Sequence, residues 1–271
     1  MTMIKPVKGL DDEFEAGLES LVASDPLKVL QTIVAFESED DPAVPVARAF
    51  AAAHPDRDVT VAIVGPSGPR MGKIHNMIEA LPLAERRFVL FSDADVRATP
   101  ALLAESARAF SAGADAVYAM PYHADAAGLG GWIFQVAFNH AFCLPVALSY
   151  RLGRLRSFAG AWMGYTKEAL ERVGGLSPFA NVIAEDFSLG LAAARAGLRQ
   201  ELLREPVRVS ETGTSPGEAF AHVAKWASVI FWSWPAPVLL APWASPVLLA
   251  LAALAWAAAR GGPLAPALAA L

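Results

Sequence analysis

Strand-like and helix-like runs alternate through the first half of this chain, and acidic residues close several of the strands. Val29–Phe36, Val59–Val64, Phe88–Phe91 and Ala114–Met120 are short and apolar, rich in β-branched or aromatic residues, which predicts buried strands. Between them, Ala43–Ala53 after Pro42, Lys73–Leu81 and Pro100–Phe110 read as helices. This alternation predicts a parallel or mixed sheet covered by helices. Asp40-Asp41 follows the first run, Ser92-Asp93-Ala94-Asp95 follows the third, and Ala184-Glu185-Asp186 precedes a helical run over Phe187–Ala196. Open α/β sheets gather ligand contacts at the carboxyl ends of their strands, so these acids are the first candidates for chemistry.

The second half reads differently. Phe158–Tyr165 predicts a strand, Thr166–Val173 a capped helix and Gly174-Gly175 its stop. Ala126–Tyr150 contains no Asp, Glu, Lys or Arg, but it holds Gln135, Asn139, His140 and several glycines. A helix at the membrane surface or under the active site is favoured there over a spanning one. Ser215–Trp234 is amphipathic at its start and then wholly apolar, and no charged side chain occurs between Lys225 and Arg260. Pro237–Ala259 is the best candidate for a bilayer span, since about 20 residues suffice. Five tryptophans lie in this tail, as at membrane interfaces, while Pro235, Pro237, Pro242 and Pro246 also permit a re-entrant hairpin.

Net charge of −5 gives no electrostatic case for nucleic-acid binding. A single cysteine, Cys143, excludes an intrachain disulfide and any cysteine-cluster metal site. Met1–Pro6 reads as the start of a folded domain rather than a leader, which places the expected catalytic part on the cytoplasmic side of the inner membrane.

Asp93 and Asp95, two apart after a strand, suit a hard divalent cation, Mg²⁺ or Mn²⁺, held against a diphosphate; a simple Asp-rich turn has the same sequence. Asp186 reads either as a first-turn acid favoured by the helix dipole or as a general base for an acceptor hydroxyl. Asp41 reads as a helix start or as a nucleotide contact. Gly65–Lys73 fails as an ATP-binding phosphate loop, because Gly68–Gly72 is one residue short and Ile74 stands where a metal-binding Ser or Thr belongs. Lys73 remains a solvated lysine or a diphosphate contact. His222, Lys225 and Trp226 read as an interfacial anchor or as a diphosphate clamp with an indole floor.

Taken together, these residues resemble the ceramide glucosyltransferase family, which includes bacterial hopanoid-associated transferases. Ile4-Lys5-Pro6-Val7-Lys8-Gly9 is similar to the family's opening strand, and Asp40-Asp41-Pro42-Ala43 to its first acidic motif. Lys73-Ile74-His75-Asn76, Ser92-Asp93-Ala94-Asp95, Met120-Pro121-Tyr122 and Ile183-Ala184-Glu185-Asp186 resemble later motifs. Three departures accompany the match. His222 and Lys225 stand where the family has Gln or Arg and Arg, an amino-terminal membrane helix is missing, and His140 lies two residues out of register with an acceptor-region histidine.

The resemblance implies a GT-A fold, a Rossmann-like mixed sheet with flanking helices, and the uncharged tail adds the expectation of a C-terminal membrane helix or hairpin. It implies a UDP-sugar donor, inversion at the anomeric carbon and a divalent metal. Asp41 would bind the nucleotide, Asp93 the diphosphate and metal with Asp95, and Asp186 would be the base. Lys5, Lys73, His222, Lys225 and Trp226 would line the donor site. The expected organisation is a catalytic domain over residues 1–214, with 126–150 on the acceptor side, and a membrane region over 215–271. The expected function is transfer of a hexose, with glucose preferred, to the hydroxyl of ceramide or a similar lipid. The alternatives are a hopanoid or other polar-lipid acceptor, or a silent membrane protein that binds a nucleotide-sugar.

Overall fold

In the computed structural model, residues 1–151, 160–182, 184–210 and 214–233 are described. The chain divides into two compact units, Met1–Pro121 with Arg156–Ser210, and Tyr122–Leu155 with Glu211–Leu271.

The first unit is built on apolar runs that are covered on both faces. Every residue of β1 (Thr2–Pro6) and β2 (Gln31–Phe36) is buried, as expected where helices cover both sides of a parallel sheet. β3 (Asp58–Ile63) and β4 (Phe88–Ser92) complete the parallel half, with α1 (Phe14–Ser24), α2 (Val44–Ala53) and α3 (Gly72–Ala80) as connections. Ile4 lies opposite Ile33 on one side and Phe91 on the other. The remaining strands of the sheet are β5 (Ala116–Tyr118), β7 (Trp162–Thr166) and β8 (Gln200–Leu202), and two further strands, β6 (Pro121–Ala124) and β9 (Val207–Ser210), lie outside it. The seven-stranded order is β3-β2-β1-β4-β7-β5-β8. Because β2 and β3 lie to one side of β1 and β4 to the other, the carboxyl ends of β1 and β4 flank the switch point of the sheet.

β7 is the exception to the parallel rule, running antiparallel to both β4 and β5. Gly164 at its centre faces Leu90 and Val117, and a Cβ there would come within 2.5 Å of Leu90 Cδ2 and 3.0 Å of Phe110 Cζ. Neighbouring side chains have taken the space, so the strand passes only with no side chain at that position. α4 (Pro100–Ser111) starts cleanly, with Pro100 at its first position and Thr99 Oγ1 accepting from Leu102 N–H at 3.1 Å. α7 (Lys167–Arg172) and α8 (Glu185–Arg195) follow β7. Phe14, Leu18, Val34, Phe36 and Phe50 form one core cluster, and Met3, Leu90, Leu102, Phe110 and Trp162 another.

The second unit is helical. α5 (Gly128–Phe138) leads through a π-helical turn, Asn139–Cys143, into α6 (Leu144–Arg151). The uncharged segment is therefore not one straight helix. The break falls at Asn139, whose amide accepts from His123 N–H at 2.9 Å and donates to His123 O at 2.8 Å. Gln135 likewise accepts from Ala126 N–H. The polar side chains that count against a spanning helix are spent on nearby backbone. α9 (Pro216–Ser233) packs on α5 at Gly130, where a Cβ would lie 2.2 Å from Thr214 O. No described helix is long and apolar enough to cross a membrane, and the candidate span Pro237–Ala259 lies outside the described residues.

Candidate active site

The acidic cluster of the first unit rests on a lysine below it. Lys5 leaves β1 beside the end of β4, is fully buried, and donates from Nζ to Asp93 O at 2.7 Å, Val96 O at 3.0 Å and Ser92 Oγ at 3.4 Å. Its three N–H groups match these three acceptors, all on the segment that carries Asp93 and Asp95. Burial brings its pKa down to about 8, against the pull of Asp95 and Asp93. Lys5 has no N–H left for a ligand, and its place is that of a pin under the loop.

Above the loop, Lys73 in the first turn of α3 meets Asp93 Oδ1 at 2.5 Å and Glu185 Oε1 at 3.5 Å. Burial works to lower its pKa, but Asp93, Glu185 and Asp186 overcome this and raise it, so the ammonium stays charged. Asn76, on the same side of α3 three residues on, fixes the helix by donating to Val7 O and Ala35 O, each at 3.1 Å. The Lys-x-x-Asn spacing therefore has a local cause, with Asn76 docking the helix and Lys73 reaching from it.

Asp186 is buried at the start of α8. Its Oδ1 accepts from Phe187 N–H at 2.7 Å and its Oδ2 from Gly160 N–H at 2.6 Å. The turn into this helix places Ala184 at φ +62°, a conformation that costs a non-glycine residue energy and that clusters at functional sites. Burial and then the neighbouring Glu185 carboxylate raise the Asp186 pKa to about 6, while Lys73 and the two backbone N–H groups oppose the rise. Asp95 is also raised, by burial and by Asp93.

Gly160 and Ala161 are the residues that the sequence did not single out. Asp93 N–H donates to Ala161 O at 3.4 Å and Gly160 N–H to Asp186, so the residues just before β7 stitch the two acidic motifs together. A Cβ on Gly160 would stand 2.7 Å from Lys73 Nζ and 3.2 Å from Asp186 Oδ2. Their only signal in the sequence is a run of small residues ahead of a strand.

Asp41 lies further along the same edge of the sheet. It accepts from Gly9 N–H at 2.8 Å and from Ala43 N–H at 2.9 Å, clasping the loop after β1 to the start of α2. His222, Lys225 and Trp226 are on α9, in the second unit, where His222 and Lys225 are exposed and the His222 ring lies 5.5 Å from that of Phe134.

Among the described residues no three His, Cys, Asp or Glu side chains converge as a ready-made metal cage. Asp93 and Asp95 supply two hard carboxylates, and ions such as Mg²⁺ are held by one or two carboxylates, with phosphate oxygens and water completing the shell. Asp93, Asp95, Glu185 and Asp186 also outnumber the ammonium groups of Lys5 and Lys73, an excess of negative charge that suits a divalent cation. The donor set fits.

The comparisons with known proteins agree with this fold. The mannosyltransferase PcManGT from Pyrobaculum calidifontis, solved with GDP-Man and Mn²⁺, superposes with a TM-score of 0.60 at 26% identity, over 99% of this chain and 78% of its own. TarS from S. aureus with UDP-GlcNAc shares the fold at a TM-score of 0.54 and 16% identity, over 82% of this chain and 65% of its own. Ceramide glucosyltransferases 1 and 3 of Caenorhabditis elegans are each 24% identical, over 83% and 89% of this chain. The chain spans about half the length of these two relatives, 48% and 53%. The family model of glycosyl transferase family 21 matches residues 1–271, and the chain belongs to that family.

Proposed function

We propose that this protein is a membrane-anchored, inverting glycosyltransferase that moves a hexose from a nucleotide-sugar to the hydroxyl of a lipid. The observation that carries the reading is Asp186, a buried carboxylate with its pKa raised to about 6, held in one constellation with Lys73, Asp93 and Glu185. A base must be ionised near neutral pH and yet basic enough to accept a proton, and this value meets both demands.

In the proposed reaction Asp186 takes the proton of the acceptor hydroxyl. The hydroxyl oxygen forms its bond to the anomeric carbon while the bond from that carbon to the diphosphate oxygen breaks. Attack from the face opposite the leaving group inverts the centre. Lys73, already among carboxylates, turns its ammonium to the departing diphosphate. Asp93 and Asp95 would hold Mg²⁺ or Mn²⁺, which when bound neutralises charge on that diphosphate. Lys5 keeps both carboxylates in place from below.

The curated relatives favour ceramide as acceptor and glucose as the sugar, and the resemblance of the sequence motifs favours UDP as its carrier. The likeness to a mannosyltransferase solved with GDP-Man adds a second donor class to test. The uncharged sequence after Lys225 supports an anchor in a membrane, which we assign to the cytoplasmic membrane with the catalytic unit facing the cytoplasm. The experiment is mass spectrometry of lipid products. Membranes containing the protein are incubated with ceramide, Mn²⁺ or Mg²⁺, and a donor panel of UDP-glucose, UDP-galactose, UDP-GlcNAc and GDP-Man. A hexosylceramide that vanishes in Asp93→Ala is the expected result. UDP or GDP release only with total bacterial lipid moves the acceptor to another lipid, and no product under any condition overturns the reading.

A further inference from the structure

Within the second unit, α5 is apolar on both sides. Gly130, Gly131, Phe134 and Phe138 form its buried face, and Gly130 and Phe134 meet the region of α9. On the opposite side stand Leu129, Trp132 and Ile133, which are 67%, 60% and 39% exposed, with Val136 half-buried one turn on. These positions are spaced i, i+3, i+4, i+7 and make one stripe. Phe220 on α9 adds a ring that is 74% exposed. A surface helix facing water carries polar residues on its outer side; this one carries a tryptophan, a leucine and an isoleucine, in a segment without a charge from Ala126 to Tyr150.

We infer that the Leu129–Trp132–Ile133 stripe and Phe220 rest in the lipid bilayer, forming a membrane contact separate from the uncharged tail. This rests on the membrane part of the reading above. Two observations choose lipid over a protein partner. α9 runs directly into a stretch with no charged residue from Trp226 to Ala259, longer than the roughly 20 residues a bilayer span needs. The helix that carries Phe220 is thereby tied to the membrane side, and α5 packs against that helix. The exposed residues are also of the interfacial type, an indole and large aliphatic or aromatic groups, on a helix whose own polar side chain, Gln135, is committed to backbone. The tail holds the protein at the membrane; the stripe would fix the orientation in which the second unit meets it.

The test uses the full chain reconstituted in phosphatidylcholine–phosphatidylglycerol vesicles. In a Cys143→Ala background, an environment-sensitive fluorophore is placed at Leu129→Cys, at Phe220→Cys and, as a reference in the first unit, at exposed Leu27→Cys. The expected result is strong quenching at positions 129 and 220 by nitroxide-labelled lipid and protection from aqueous iodide, with less lipid quenching at position 27. Quenching by iodide instead overturns the inference, and so does protection from both quenchers, which means a second copy or another part of the chain covers the face. In the native-cysteine protein, Trp132→Asp with Phe220→Asp should raise the apparent KM for vesicle-borne acceptor about tenfold or more while donor hydrolysis without acceptor is unchanged, given the transfer energy of one large apolar side chain. An unchanged acceptor KM counts against the inference. Lipid quenching without sugar transfer from any donor would keep the membrane face and sink the transferase; transfer with water-exposed probes would do the reverse.

Discussion

At the scale of single residues, two side chains of the first unit have separable roles. Asp186 is expected to set the acidic limb of the reaction. Its carboxyl is neutral below about 6 and ionised above, so kcat/KM should climb as pH rises through about 6 and then level off. Folding raises this pKa above the ordinary carboxylate value, so the associated stability is full below that ordinary value and lost as pH rises through the folded one. Asp186→Asn should remove transfer by at least about a thousandfold while UDP binding, read by calorimetry, survives. Turnover within tenfold of the parent would exclude Asp186 as the base. Lys5 predicts a different pattern. Lys5→Met strands the carbonyls of Asp93 and Val96, each worth roughly 1–3 kcal/mol when buried without a partner, so the melting temperature should fall. Because the stranded groups carry the carboxylates expected to hold metal, Mn²⁺ binding followed by electron paramagnetic resonance should weaken as well. Lower stability with unaltered Mn²⁺ affinity would reduce Lys5 to a core residue.

At the scale of elements, what the sequence makes legible is whatever a local pattern encodes. Gln31–Phe36, Asp58–Ile63 and Phe88–Ser92 are strands where apolar runs predict them, and α4 begins at Pro100 because Thr99 and Pro100 together write a helix start. The antiparallel course of β7 has no such signature, since direction and neighbours are settled by a return across the sheet rather than by the strand's own residues. β8 and β9 are too short for a periodic signal, and α1 opens at Phe14 without a capping side chain. Asp41, Asp93, Asp95 and Asp186 stand out as acids at element ends, but Gly160 does not, since its contribution is a backbone N–H and a missing Cβ. Lys5 is legible as unusual and not as a pin, because its partners are main-chain oxygens near ninety residues away. The crowding at β7 makes a direct test. Gly164→Ala forces a methyl into Leu90, Phe110 and Val117 and should cost about 1–3 kcal/mol, read as a lower midpoint in thermal unfolding. An unchanged midpoint would mean that the strand can shift without loss.

At the scale of the whole molecule, the charge distribution explains why the site should wait for its ligands. Lys73 is engaged by Asp93 and Glu185, and burial, followed by repulsion from a neighbouring carboxylate, raises both Asp95 and Asp186. A nucleoside diphosphate alone brings further negative charge to this cluster, and a divalent cation alone has only Asp93 and Asp95 to hold it. Arriving together they balance, because the cation offsets both the carboxylates and the diphosphate while Lys73 gains a phosphate partner. Ligands that bind only the folded state stabilise it by mass action, by roughly 2.7 kcal/mol at a hundred times the dissociation constant. Thermal melting of the full chain should therefore show a small shift with UDP or with Mn²⁺ alone and a clear rise with both. The combined rise should disappear in Asp93→Asn, which keeps the size of the side chain and removes a charge from the metal pair. A chelator added to the ternary mixture should return the melting temperature to that of the protein with UDP alone, since no part of the described fold relies on metal to hold it. Equal shifts with UDP in the presence and absence of Mn²⁺ would show that Lys73 and the backbone suffice for the diphosphate, and would remove the metal role assigned to Asp93 and Asp95.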